Sequence, residues 1–211
     1  AFGGAMAIAV VVPIILTVIF EKQGIFGKKE EVAVATAAVA PQATQTTSTE
    51  NSTNQTTQVE PFYAPGEGTI IALESVKDPV FSTKIMGEGF ALRPTTNQVF
   101  SPVNGEILSI FETKHAIGIL TKTGAEILVH MGLDTVELKG EPFNVHVTVG
   151  QNVTPQTLLA DMDLEKVKAT GRETDIVVVM TNNEKMADFK LDHQGESTPG
   201  LVIGEYKVKG H

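Results

Sequence analysis

His115 and His130 are the residues whose type and spacing could carry chemistry in this chain. They end two apolar runs, HAIGIL and AEILVH, joined by Lys122-Thr123-Gly124, a segment that invites a β-hairpin. A turn centred between Lys122 and Thr123 sets His115 directly opposite His130 on one sheet face, with Cβ atoms about 4.5–5.5 Å apart. A three-residue loop with Gly124 left-handed shifts the register by one residue and is expected to send the two rings to opposite faces. A facing pair of imidazoles admits three readings. It can be a solvated polar pair on a sheet. It can be part of a zinc site, which needs a third ligand such as Asp134. Or one ring nitrogen can act as a nucleophile toward a phosphoryl group while its neighbour stabilises charge. Imidazole suits that task because a pKa near 6.5 leaves a neutral nitrogen at cellular pH. Spacing alone leaves all three open. His146 reads as a strand residue in FNVHVTVG, and His193 and His211 as surface residues.

The elements that must position this pair are short. From Pro61 onward, apolar or alternating runs such as GTIIALE, EILSIFE, AIGILTKTG, AEILVHMG, IVVVMTN and LVIGEYKVK are separated by Gly, Pro, Asn and Asp. That texture predicts an all-β sandwich or barrel. One short helix is expected near Asp163 to Ala169, with an acidic start and Gly171 after its end. The segment Ala64-Pro65-Gly66-Glu67-Gly68-Thr69-Ile70 echoes Ser101-Pro102-Val103-Asn104-Gly105-Glu106-Ile107, which a duplicated β unit produces.

Upstream the composition changes twice. Residues 1–20 carry no charge and have the length of about 20 apolar residues that spans a bilayer as a helix. No basic segment precedes the run and no small-residue cleavage site follows it closely, unlike a signal peptide. The chain opens inside this run and without Met, as expected of a piece of a longer polypeptide. Lys22, Lys28 and Lys29 follow it, which by the positive-inside rule places the downstream chain in the cytoplasm. We therefore expect residues 1–22 to form a last transmembrane helix and residues 23–60 a flexible linker rich in Ala, Thr and Gln. The linker has too little apolar bulk to offset the entropy of ordering it. As a coil, its roughly 30 least apolar residues reach on the order of 30 Å.

Bulk numbers exclude several classes. With 16 basic against 25 acidic residues the net charge is -9, which argues against nucleic acid as a partner. No Cys is present, so disulfides, thiolate metal sites and a cysteine nucleophile in this chain are ruled out.

The run Leu128-Val129-His130-Met131-Gly132-Leu133-Asp134-Thr135-Val136-Glu137-Leu138-Lys139-Gly140 resembles the signature of glucose-type enzyme IIA domains of the phosphoenolpyruvate-dependent sugar phosphotransferase system. Lys84-Ile85-Met86-Gly87-Glu88-Gly89, Pro102-Val103-Asn104-Gly105 and Phe111-Glu112-Thr113-Lys114-His115-Ala116 are similar to further blocks of that family. The resemblance covers roughly Tyr63 to Lys209, in consistent order. It implies a β-sandwich built from a duplicated hybrid motif. It also implies that His130 is phosphorylated at Nε2, that His115 contacts the phosphoryl group and that Thr113 orients His115. Asp134 matches an acidic residue beside the site. Phe81, Ile85, Met86, Leu128 and Val136 match an apolar docking surface, on which Phe81 is expected to be exposed.

The same resemblance implies the partners. The phosphocarrier protein HPr delivers phosphate originating from phosphoenolpyruvate through enzyme I, and a cysteine of a IIB domain accepts it to phosphorylate incoming sugar. No cofactor or metal is required, although some relatives bind zinc weakly at the positions of His115 and His130. The apolar start and linker fit a IIBCA permease of the β-glucoside, sucrose or trehalose type, in which a IIC membrane domain directly precedes IIA, at the cell membrane with IIA on the cytoplasmic side. Competing readings are a biotinyl or lipoyl carrier, which needs a lysine in a different hairpin setting than Thr121-Lys122-Thr123, and a LytM-type zinc peptidase, which needs a His-x-His pair. A regulatory role, as in relatives lacking a membrane domain, is a further alternative.

Overall fold

The computed structural model describes residues 58–209; the expected membrane helix and nearly all of the expected linker lie outside them. Among the described residues no helix is long and apolar enough to cross a membrane. Residues 58–209 belong to one compact unit.

Fourteen strands run through the described residues. In chain order they are β1 (Gln58–Tyr63), β2 (Gly68–Ala72), β3 (Gly89–Pro94), β4 (Gln98–Phe100), β5 (Gly105–Ile110), β6 (Ala116–Leu120) and β7 (Glu126–Met131), then β8 (Phe143–Val145), β9 (Asn152–Val153), β10 (Leu158–Met162), β11 (Ile176–Met180), β12 (Met186–Leu191), β13 (Gly195–Ser197) and β14 (Val202–Val208). An eight-stranded sheet, in the order β13-β2-β3-β11-β7-β6-β5-β9, is joined by two three-stranded sheets, β1-β14-β12 and β4-β10-β8. The all-β expectation is met. The helix α2 (Leu164–Ala169) lies where the acidic start and Gly171 put it, with the Asp163 carboxylate accepting from the Lys166 amide as its N-cap. A single helical turn, α1 (Pro79–Ser82), was not anticipated. Strand β1 also starts three residues before Pro61: Gln58, Val59 and Glu60 pair with Val208, Lys207 and Tyr206 of β14.

The sequence echo has a structural counterpart. Exchanging β1 with β4, β2 with β5, β3 with β6, β7 with β11, β8 with β12, β9 with β13 and β10 with β14 turns one small sheet into the other. The same exchange reverses the order of the large sheet onto itself. The register obeys it too. Ile70 pairs with Leu92 as Ile107 pairs with Ile119, and Leu92 pairs with Ile176 as Ile119 pairs with Ile127. Strands β7 and β11 therefore lie side by side at the centre of the large sheet. That position explains why β11 reads IVVVM without alternation, since all five residues are buried on both faces.

Alternate residues of the central strands point two ways. Ile127, Val129 and Met131 of β7, with Ile176, Val178 and Met180 of β11, enter one continuous core shared with the small sheets. The aromatic centre of that core is Phe62, whose ring lies 5.4 Å from Phe90 and 4.6 Å from Tyr206. Leu128 and His130 occupy the alternate positions and face the other side of the large sheet.

Candidate active site

His130 is the penultimate residue of β7, and the strand after it makes a tight turn. Gly132 takes a left-handed φ of 74°, and a Cβ there would stand 2.5 Å from the Thr135 methyl carbon, so the turn requires glycine. The turn aims the Gly132 carbonyl back at the ring, and His130 Nδ1 donates to it at 2.8 Å. A carbonyl can only accept, so neutral His130 carries its proton on Nδ1 and presents a lone pair at Nε2.

His115 enters from the other side. The hairpin between β6 and β7 closes through Thr121 and Ala125 with Gly124 left-handed, and the register pairs Ala116, not His115, with His130. This is the one-residue shift that was expected to separate the rings. They meet nonetheless, in T-shaped contact with centroids 4.9 Å apart. The reason is that His115 precedes the strand. The left-handed Lys114 (φ 56°) turns the chain immediately before β6, so strict alternation does not govern its side chain. Its carbonyl accepts from the Met131 amide at 2.8 Å, and its Nδ1 lies 2.5 Å from the Thr113 hydroxyl.

Both rings are withdrawn from water, at 2% exposed for His115 and 6% for His130. Phe111 packs edge-on against His115 at 5.4 Å, and Phe81 lies tilted against His130 at 5.1 Å. Burial lowers the pKa of His130 to about 4, against the opposing effect of the hydrogen bond to Gly132. His115 is lowered to about 3, first by burial and then by the proximity of His130. Both imidazoles are neutral at pH 7, the state a nitrogen nucleophile needs.

The remaining expected residues separate. Asp134 is exposed in a left-handed conformation, and Arg172 Nε donates to its carbonyl at 2.9 Å. Ile85 is 75% exposed, and Met86 and Val136 are half-buried. Phe81 corrects the expectation of exposure, at 3%. It sits in α1, whose N-terminus is capped by the Asp78 carboxylate accepting from the Val80 and Phe81 amides, and burying its ring over His130 removes a large apolar surface from water. Leu128, two residues from His130 on the same strand face, is buried as well. Phe111, Gly132 and Thr135 stood inside the recognised blocks, but nothing in their types or spacing marked them as part of the site.

Among the described residues no group of three or more His, Asp or Glu side chains is placed to hold a metal ion, so Asp134 completes no zinc site. The zinc-peptidase reading finds no support in this arrangement. The lysine-carrier reading finds none either, with Lys122 in a hairpin turn whose flanking threonine hydroxyls bond each other at 2.9 Å.

This all-β domain buries a pair of neutral histidines and leaves His130 Nε2 available as a nucleophile. The chain belongs to the EIIA 1 family of the phosphoenolpyruvate-dependent sugar phosphotransferase system, which matches residues 60–186. Its relatives make it a glucose-type IIA domain. Over 149 residues it is 47% identical to the PTS system glucose-specific EIICBA component of Streptococcus pneumoniae, a match covering 71% of this chain and 20% of that protein. Over 154 residues it is 46% identical to the PTS system glucose-specific EIIA component of Halalkalibacterium halodurans, covering 72% and 89%. The chain thus spans only about a fifth of the length of the pneumococcal relative. Among solved structures, the glucose permease IIA from Mycoplasma capricolum superposes with a TM-score of 0.66 at 38% identity, covering 70% of this chain and 96% of that one.

Proposed function

We propose that this domain accepts a phosphoryl group on His130 Nε2 from phospho-HPr and passes it to a cysteine of a IIB domain, in a permease that couples sugar uptake to phosphorylation. The observation that carries this reading is the hydrogen bond from His130 Nδ1 to the Gly132 carbonyl, which leaves Nε2 as the free nucleophile. On acceptance, the P–N bond of the donor breaks with its electron pair returning to the donor nitrogen, and a P–Nε2 bond forms. The ring keeps its Nδ1 proton on Gly132 and becomes an imidazolium, a good leaving group for the second transfer. His115 donates from Nε2–H to the phosphoryl oxygens, its opposite nitrogen accepting from the Thr113 hydroxyl. Exposed Asp134 is an acid near the site in the chain, and exposed Ile85 with half-buried Met86 and Val136 supplies the docking surface for both partners. Phe81, packed against His130, and Leu128, two residues from it on β7, are buried and do not contribute exposed surface.

The uncharged residues 1–20 and the linker composition support a domain tethered at the cytoplasmic face of the membrane behind a IIC domain, in the order IIB, IIC, IIA. The alternative order, with IIB between the membrane domain and IIA, requires a folded domain where the linker composition lies. A tether raises the effective concentration of IIA at its acceptor.

The test is to incubate the chain with phosphoenolpyruvate, enzyme I and HPr and to take an intact mass. A single adduct, labile to acid and stable to base, is expected, and it is absent in His130→Ala. His115→Ala is expected to accept phosphate but to transfer it poorly. A folded chain that takes up no phosphate overturns the proposal.

A further inference from the structure

Two consecutive peptide units hold the acceptor of the His130 proton, and each is bonded at both ends. In the Gly132–Leu133 unit the carbonyl accepts from His130 Nδ1 and the Leu133 amide donates to the Glu173 carbonyl at 3.0 Å. In the Met131–Gly132 unit the Gly132 amide donates to the Asp175 carbonyl at 3.1 Å. Its carbonyl accepts from the Thr135 hydroxyl at 2.6 Å. Three of the four bonds in this bracket involve only backbone or the histidine itself. Thr135 supplies the fourth, and it is the contact that closes the turn on its own chain. It is fully buried at 0% exposure, and its methyl carbon fills the space where a side chain on Gly132 would stand. Both functional groups of this side chain therefore act on the bracket: the hydroxyl fixes the plane of the first peptide, and the methyl fixes the backbone of the second.

We propose that Thr135 is a positioning residue for phosphoryl transfer, holding the Gly132 carbonyl on His130 Nδ1 and so fixing the tautomer that frees Nε2. Its hydroxyl bonds the Met131 carbonyl and its methyl meets Gly132, so it acts through the turn. A neutral imidazole divides between two tautomers, and only one has its lone pair on Nε2. A loosened Gly132 carbonyl lets the proton move to Nε2, which blocks attack without unfolding the sheet. The idea rests on His130 being the nucleophile, and it makes a claim about the resting protein that phosphorylation does not enter.

The test uses ¹⁵N-histidine-labelled chain and three variants, Thr135→Val, Thr135→Ser and Thr135→Ala. Imidazole nitrogen shifts are expected to show His130 as the Nδ1–H tautomer in the wild type and in Thr135→Ser, which keeps the hydroxyl. Thr135→Val keeps the shape and loses the bond, and it is expected to show mixed tautomers. With phospho-HPr as donor, its kcat is expected to fall about tenfold at unchanged KM, and Thr135→Ser to recover to within about twofold of wild type. Thr135→Ala is read in its place if Thr135→Val does not fold. A folded Thr135→Val or Thr135→Ala with wild-type tautomer and rate overturns the proposal, as does a mixed tautomer in Thr135→Ser. If the wild type takes up no phosphate, the function proposed above fails while the tautomer measurement still decides this one.

Discussion

His115 and His130 meet at 4.9 Å although the hairpin register pairs His130 with Ala116. The contact is made by a turn residue and a strand residue, so it depends on the left-handed Lys114 as well as on the sheet. It also places two bases where neither can take a proton at low cost, and stability should show this.

An unfolded histidine titrates near 6.5, whereas folded His130 and His115 titrate at about 4 and about 3. As pH falls below 6.5 the unfolded chain takes up protons that the folded chain refuses. Stability is therefore full above 6.5 and is lost progressively as pH falls, down to about 4 for His130 and about 3 for His115. Urea unfolding at pH 7.5 and pH 5.5 should show a loss of about 3 kcal/mol, about half from each ring. In His115→Gln the loss should shrink by about half. An unchanged pH dependence in that variant contradicts the burial argument.

Phe81 shields His130. Phe81→Ala should cost about 3 kcal/mol of stability, in the range for truncating a buried phenylalanine. It should also move the His130 pKa upward from about 4, because the ring then reaches water. NMR titration of the His130 ring protons separates the two effects. A large loss of stability with an unmoved pKa would mean that Phe81 supports α1 without covering the site.

Thr113 bears on His115 through one hydrogen bond, 2.5 Å long. Thr113→Val should cost about 1–3 kcal/mol, the penalty for leaving a buried nitrogen unpaired. It should slow phosphoryl transfer onward to IIB more than acceptance from HPr, since His115 acts on the bound phosphoryl group. Single-turnover rates for the two steps check this, and equal slowing of both argues for general loosening.

Cutting the chain at Pro61 removes the pairs that Gln58, Val59 and Glu60 make with Val208, Lys207 and Tyr206. A chain starting at Pro61 should melt several degrees below one starting at Gln55, by differential scanning calorimetry. Equal melting temperatures would show that the first half of β1 adds nothing.

Much of this was legible in the sequence, for reasons that differ by element. IVVVM and AEILVH announced strands because apolar β-branched runs between turn residues have few other fates. The helix after Asp163 was legible because a capping carboxylate and a following glycine bracket it. Strand β1 was hidden because Gln58-Val59-Glu60 has the polar composition of the segment before it, and it is held by β14, far away in the chain. The turn of helix at Pro79 carries its own start signal in Asp78-Pro79, yet four residues are too short for any periodicity. The burial of Phe81 depends on where that turn lands. The meeting of the histidines was legible as a pair, but the hairpin arithmetic gave the wrong reason for it, since alternation along a strand says nothing about the residue just before it. Thr135 was invisible because its work is done by a bond to backbone four residues earlier.

The pairing of β1 with β14 has a consequence for where the domain can sit in a longer chain. Gln58 stands beside Val208, so the chain enters and leaves the fold at neighbouring points. A unit with adjoining ends can be spliced into a longer polypeptide, or released from one, without any strand changing its neighbours. The similar region makes up most of the Halalkalibacterium relative and a fifth of the pneumococcal one, so the same unit stands in chains of very different length.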